Sequence, residues 1–552
     1  MDLTALVLLL VSLMVFTHAL FSLHLMLYAW EHPERLEATR GPASFEPSRT
    51  TFSVLLPAYR EEAVIYDTIT RIWAANYPHH LLELIVACHA DDVGTIAEAT
   101  RAIRTIRSDR ARIATFSTPP INKPHALNVA FRQASGEVVT VFDAEDDVDP
   151  FLFDVINTVM LREDVGVVQA GVQLMNHRDH WFSLLNCLEY FFWFQSRLHF
   201  HAKVGMIPLA GNTVFIRREL VRRVDGWDER CLTEDADIGL RLSTLGETIR
   251  VVYDVQHVTR EETPSSIPAL IRQRTRWNQG FLQVLGKGSW LSLPTLGGKL
   301  LAFYTFSFPI FLVPLTLLWP LAVIGGLWIQ LPVAIAMVTF LPLYAVLFLM
   351  LVNVVGAGMF SRTYGLELSR MTQLAVVATF IPYQLILGWS SARAVVRQVR
   401  RHTDWEKTEH VGAHRHAAGA SLGSSVQGVA VPDPGRSAAR VAAGGRAHLI
   451  QRRVSTAETR PAPPGNLHRD TTPAAFISCA HSVALADDRF CGRCGARLAP
   501  GATDSRRAAA PRRRHVLTVL GNLIPVPIRT DGVRDRPNVA GPDGRRTGTQ
   551  GR

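Results

Sequence analysis

From Leu3 to Trp30 the chain contains no Lys, Arg, Asp or Glu. At 1.5 Å per residue such a helix is about 42 Å long, enough to cross a hydrocarbon core and its interfaces. A cleaved signal peptide is disfavoured: the start lacks a basic region, the apolar run is too long, and no clean small-residue cleavage site follows. Tyr28 and Trp30 suit the interface. Residues 297–396 form a second apolar region, with stretches near 305–329, 332–357 and 372–391. Pro309, Pro314 and Pro320 interrupt the first, which a packed membrane helix tolerates. Arg35, Arg40, Lys287 and Lys299 flank the intervening segment, so the positive-inside bias puts residues 31–300 in the cytoplasm, against the plasma membrane. Three C-terminal crossings would leave the basic stretch Arg393–Arg401 on the far side. One stretch is therefore expected to lie in the interface, or one long stretch to be broken.

Between the apolar regions, strand and helix patterns alternate. Residues 52–57, 82–88, 113–116 and 137–142 read as strands; 61–76, 94–107, 123–134 read as helices. This alternation predicts βαβ units and a mainly parallel sheet. Ligands bind beyond the carboxyl ends of such strands, so the polar residues after each strand are the candidates. Six cysteines in 552 residues make no disulfide framework, and a reduced compartment fits.

Three acidic clusters stand at strand or loop ends: Asp91-Asp92, Asp143-Ala144-Glu145-Asp146-Asp147, and Glu234-Asp235-Ala236-Asp237. Each alone is usually a solvated loop. The second is delivered by a very apolar strand, which is the stronger signal. A nucleotide diphosphate normally arrives with Mg²⁺ or Mn²⁺, and such ions take one or two carboxylates plus phosphate oxygens. Asp143 with Glu145 or Asp146 would supply them. A separate carboxylate must accept the proton of an attacking hydroxyl, and Asp235, beside Glu234, is the candidate. Gln273-Arg274-Thr275-Arg276-Trp277 precedes the second apolar region. Arg276 suits phosphate and Trp277 a sugar ring or base; an ordinary juxtamembrane anchor is the bland alternative.

Taken in order, these residues resemble family 2 glycosyltransferases of the GT-A fold, in the membrane-bound branch with cellulose, hyaluronan and poly-N-acetylglucosamine synthases. The resemblance covers residues 50–290, and extends to Trp405-Glu406-Lys407-Thr408. It implies an α/β GT-A domain at 45–290 with a mainly parallel mixed sheet, a membrane helix at 1–30, and membrane or interfacial helices at 297–396. It implies that Pro57, Tyr59, Glu61, Asp91, Asp92, Lys123, Asn128 and Asp143 bind the donor. Gln273, Arg276, Trp277, Gly211 and Asn212 would face diphosphate and acceptor, with Asp143, Glu145 and Asp146 around the metal. The usual Asp-x-Asp is here Asp143-Ala144-Glu145. The implied activity is inverting transfer from a nucleotide-diphosphate sugar, uridine-linked by preference, to a polysaccharide or glycolipid. Transfer of one sugar to a lipid carrier, and an inactive scaffold or transport component, are the alternatives. Trp181–Phe200 is rich in aromatics, for the membrane interface, an acceptor channel or plain core.

Residues 410–552 form a tail rich in Ala, Gly, Arg and Pro without apolar periodicity, expected to be largely disordered. The net charge is +10, and the segment after His402 carries the whole excess. Anionic lipid is a conceivable partner for it, and no nucleic acid is expected. Within 479–495, Cys479, His481, Cys491 and Cys494 offer one Zn²⁺ reading; a metal-free remnant is the other.

Overall fold

The computed structural model describes residues 3–32, 34, 40–320, 324, 333–402 and 406. The tail, including the cysteine cluster at 479–495, lies outside the described residues, as do Trp405, Lys407 and Thr408.

Among the described residues nine strands are formed: β1 (Phe52–Ala58), β2 (Leu82–His89), β3 (Ala111–Phe116), β4 (Val138–Val141), β5 (Val167–Ala170), β6 (Val172–Leu174), β7 (Val214–Arg217), β8 (Ile249–Val252) and β9 (Thr259–Glu261). Seven make one sheet in the order β3-β2-β1-β4-β7-β5-β8, and β6 pairs with β9. β1, β2, β3 and β4 run parallel, with Phe52 opposite Leu82 and Val138. β7 alone runs antiparallel to both its neighbours. This is the mixed, mainly parallel sheet of a GT-A domain.

The helices are α1 (Leu3–Glu31), α2 (Ile65–Trp73), α3 (Val93–Ile106), α4 (Lys123–Phe131), α5 (Leu152–Glu163), α6 (Ser183–Phe192), α7 (Leu198–Val204), α8 (Arg218–Arg223), α9 (Glu234–Thr244), α10 (Ile267–Lys287), α11 (Leu296–Val313), α12 (Val333–Thr363) and α13 (Arg370–Val399). Parallel strands covered by helices are apolar on both faces. Leu55, Leu56, Leu84 and Ile85 are fully buried. Each such side chain contributes about 1.5–3 kcal/mol of burial.

β2 carries one exception. Glu83 is buried within it, and its carboxylate accepts from Ser135 N at 2.5 Å, Gly136 N at 3.1 Å and Arg112 Nη2 at 3.2 Å, with the Ser53 hydroxyl also donating. Burial pushes this carboxyl upward, but the donors outweigh it and hold it below its ordinary value.

Four helical stretches among the described residues are long and apolar enough to cross a membrane: Leu6–Glu31, Leu296–Leu317, Ile335–Thr363 and Arg370–Val399. The last has both ends against the α/β domain. Before it, Tyr364 Oη lies 2.6 Å from Tyr253 Oη, and Arg178 donates to the Glu367 carbonyl at 2.6 Å. Toward its other end, Asn278 donates to Ser391 Oγ at 2.8 Å and Gln279 to the His402 carbonyl at 2.5 Å. A 30-residue helix is about 45 Å long, so α13 runs along the domain rather than away from it. The basic segment Arg393–Arg401 thus stays on the domain's side. Arg393 and Arg397 there clasp Glu406 at 2.6 and 3.0 Å.

Candidate active site

β4 is buried throughout, and Phe142 after it is fully buried, so Asp143 emerges where the apolar run ends. α4 begins opposite: Asn122 caps it by accepting from His125 N at 3.0 Å, and Pro124 sits in its first turn. This start points Lys123 at Asp143, with which it forms an ion pair. Lys123 Nζ also donates to the Gly211 carbonyl at 2.9 Å. Burial alone would lower the lysine's pKa; Asp143, Glu234 and Asp235 overcome this and hold it up.

α9 places Glu234 and Asp235 in its first turn, where the helix dipole favours negative charge. Asp235 Oδ1 accepts from Ala236 N at 2.7 Å. A Cβ on Gly211 would come 3.1 Å from Asp235 Oδ2 and 3.3 Å from Lys123 Nζ, so a residue without a side chain leaves both groups room. Burial raises the pKa of both carboxyls, that of Glu234 to about 7 with Asp235 adding to it. Lys123 and Arg276 oppose the rise.

α10 supplies the fourth part. Ser266 caps it by accepting from Ala269 N at 3.3 Å, and Gly288, at φ 71°, ends it. Gln273, Arg276 and Trp277 line the same cavity as Asp143, Lys123, Glu234 and Asp235, a space of about 1120 Å³. Among the described residues, nothing pairs with the Arg276 guanidinium. Arg274 lies 4.5 Å over the Trp277 ring and is itself paired with Glu189, which accepts from Tyr383 Oη at 2.7 Å.

Pro57, Tyr59, Glu61, Glu145, Gly211 and Asn212 also line the cavity. Four predicted residues are not among its lining residues. Asp146 is fully buried, and its carboxylate accepts from Asp143 N and Asn212 Nδ2 at 2.8–2.9 Å. Asp92 caps α3 and accepts from Arg60 N at 2.5 Å, tying β1's end to β2's. Asp91 is exposed. Asn128 donates to the Trp227 carbonyl at 2.8 Å and Glu229 Oε1 at 3.0 Å. His125 stands 2.9 Å from Glu229, and Asp228 pairs with Lys287 at 2.6 Å. This loop before Glu234 is therefore held on both flanks, by His125 against Glu229 and by Lys287 against Asp228. The contact of Arg274 with Trp277 also lay outside sequence reasoning, although its neighbours in the motif were singled out.

Residues 47–280 match the model of the family described as "Glycosyltransferase like family 2". The chain carries a family 2 glycosyltransferase domain. Over 238 residues the glycosyltransferase domain is 29% identical to a probable glycosyltransferase, YdaM, of Bacillus subtilis, covering 41% of this chain and 54% of the relative. Over 239 residues it is 28% identical to a beta-monoglucosyldiacylglycerol synthase of Trichormus variabilis, covering 42% and 49%. The match thus spans about half the length of these relatives. A solved mannosyltransferase, PcManGT of Pyrobaculum calidifontis in complex with GDP-Man and Mn²⁺, superposes with a TM-score of 0.47 at 18% identity, covering 71% of this chain and 99% of that one.

Among the described residues no cluster of three or more His, Cys, Asp or Glu is ready to hold a metal. The cavity nonetheless suits a divalent ion that brings its own ligands. Asp143 and Glu145 face it, and hard cations readily complete such a pair with phosphate oxygens.

Proposed function

We propose that this glycosyltransferase moves a sugar, with inversion, from a nucleotide-diphosphate donor, taken as uridine-linked, to a hydroxyl of a membrane-held acceptor. One observation carries the reading. The cavity lined by Asp143, Lys123, Asp235 and Arg276 continues among α1, α11, α12 and α13. A donor from the aqueous side and an acceptor from the membrane can thus meet in one space. The relative named as a glycolipid synthase agrees with a lipid acceptor.

In this reading Pro57, Tyr59 and Glu61 border the nucleotide and Lys123 stands beside the donor. Asp143 and Glu145 would hold Mg²⁺ or Mn²⁺, which when bound neutralises charge on the departing diphosphate. Asp146 and Asn212 stiffen the loop that carries Asp143. Asp235 takes the proton of the acceptor hydroxyl as that oxygen attacks the anomeric carbon. Its raised pKa makes it a stronger base than an ordinary carboxylate. Arg276, without a hydrogen-bond or ion-pair partner among the described residues, meets the developing negative charge with its planar fork. Trp277 and Gln273 position the acceptor, and an α-linked donor gives a β-linked product.

Chain growth on a polysaccharide is the second reading, favoured by the Gln273-x-x-Arg276-Trp277 motif. The test uses the purified full chain with labelled nucleotide sugars and mixed lipid acceptors. Label passing into an organic-soluble product supports the lipid reading, and into a water-soluble polymer the second. Asp235→Asn should abolish both; normal turnover by that variant would remove the base assignment.

A further inference from the structure

The cavity does not stop at Trp277. Its membrane end is walled by apolar side chains, Leu25, Met26, Phe308, Leu312, Leu315 and Phe380 among them. Polar side chains that no catalytic step uses also line it, His18, Ser22 and Arg197 among them. Arg197 stands at the turn joining α6 to α7. That turn is fastened to α1, because Ser196 Oγ donates to the Leu25 carbonyl at 2.9 Å and accepts from Ala29 N at 3.1 Å.

Arg197 Nη2 donates to Ser22 Oγ at 2.9 Å. Among the described residues this is its one side-chain hydrogen bond, and no carboxylate lies within ion-pair distance of it; Glu189, engaged by Arg274, acts on it only from farther away. Arg274, the nearby cation of the same cavity, shows the contrast: Glu189 neutralises it. His18 is only 9% exposed, its ring packed on Tyr304, Phe308 and Phe311 at centroid distances of 5.0, 5.1 and 5.7 Å. Its Nε2 has no partner among the described residues.

A guanidinium has five donors, and one neutral hydroxyl leaves most unused. In apolar surroundings an unmatched cation is costly, so the arrangement calls for an anion. A sugar hydroxyl would leave the charge unmatched. A phosphate oxygen pair matches the planar fork, and His18 and Ser22 offer further hydrogen bonds. Ser22 lies nine positions before Glu31, about 14 Å along α1 from its C-terminal end, so an anion held there would have apolar walls around it.

We infer that the membrane end of the cavity seats the phosphate of an anionic acceptor lipid on Arg197, Ser22 and His18, with the lipid chains against the apolar wall. The inference rests on the reading of a membrane-held acceptor and narrows its chemistry from any lipid hydroxyl to an anionic lipid.

The full chain in maltoside micelles, which hold no phosphate, is titrated with fluorescent phosphatidylglycerol and with fluorescent diacylglycerol, without donor. Phosphatidylglycerol should bind about tenfold more tightly, Arg197→Gln should erase the difference, and Arg197→Lys should keep most of it. Inorganic phosphate should not displace the lipid; displacement by phosphate with no lipid preference would overturn the lipid assignment. Equal binding of the two lipids by the unaltered protein, or identical behaviour of the Gln and Lys variants, would overturn the site. Because binding is read without turnover, phosphatidylglycerol preference in a protein that transfers no sugar would fault the transfer reading alone. Transfer to diacylglycerol without that preference would fault this inference alone.

Discussion

Gly280 is the point where α10, bearing Arg276 and Trp277, presses on the residue that opens α9. A Cβ there would lie 2.4 Å from Thr233 Oγ1, 2.5 Å from its Cγ2 and 2.7 Å from its backbone nitrogen. The hydroxyl can rotate away, but the backbone nitrogen sits about 0.8 Å inside ordinary carbon contact and cannot. Gly280→Ala gains about 1 kcal/mol of helix propensity, and overpacking costs about 1–3 kcal/mol. The net effect on stability is therefore a loss of at most about 2 kcal/mol. The effect on turnover is larger, because Glu234 and Asp235 follow Thr233 directly. A shift of about 1 Å at a catalytic group costs on the order of 10²-fold in rate. Gly286, on the same helix, is the control, since a Cβ there meets nothing within 4 Å. Gly286→Ala should match the unaltered kcat and melt slightly higher. Sugar transfer and fluorescence-monitored melting on detergent-purified variants provide the comparison. If Gly280→Ala also kept full kcat with a raised Tm, the contact between α10 and the base would not matter as argued.

Burial raises the Asp235 carboxyl above the ordinary aspartate value of 3.8, so kcat/KM should fall on acidification at a pH above that value, as the base form is lost; a pH–rate profile flat down to 3.8 would contradict this. A chelator should abolish transfer and added Mn²⁺ or Mg²⁺ restore it, with Asp143→Asn demanding far more metal; full activity in chelator would remove the metal from the account. Glu189→Gln removes the negative charge that holds Arg274, loosening the cation over Trp277, and should raise the acceptor KM about fivefold with little change in donor KM.

The first half of the sheet was legible in the sequence because parallel strands buried on both faces must be nearly continuous apolar runs. Strands expected at 52–57 and 82–88 appear as Phe52–Ala58 and Leu82–His89. The convergence of Asp143, Asp235 and Arg276 followed from strand ends and motif order. Hydrogen-bond partners were not legible. Asp92, Asn128 and Asp146 have the residue types of a donor site, yet their polar atoms bond to backbone amides, a carbonyl and neighbouring side chains. Nothing local in the sequence shows which neighbours such a carboxylate will bond. The course of α13 was likewise open, because hydropathy fixes a helix's surroundings and not its direction; contacts at Tyr364 and His402 decide it. Arg197 is the one Lys or Arg in the aromatic stretch from Trp181 to Phe200, and that basic residue was the signal available for the membrane end of the cavity.

The most direct test is a structure of the full chain with a non-hydrolysable nucleotide sugar and Mn²⁺. The diphosphate should lie between Asp143 and Arg276, with the anomeric carbon facing Asp235 and the cavity toward α1 open beyond it. A donor bound elsewhere, or one whose anomeric carbon turns away from Asp235, would contradict the account.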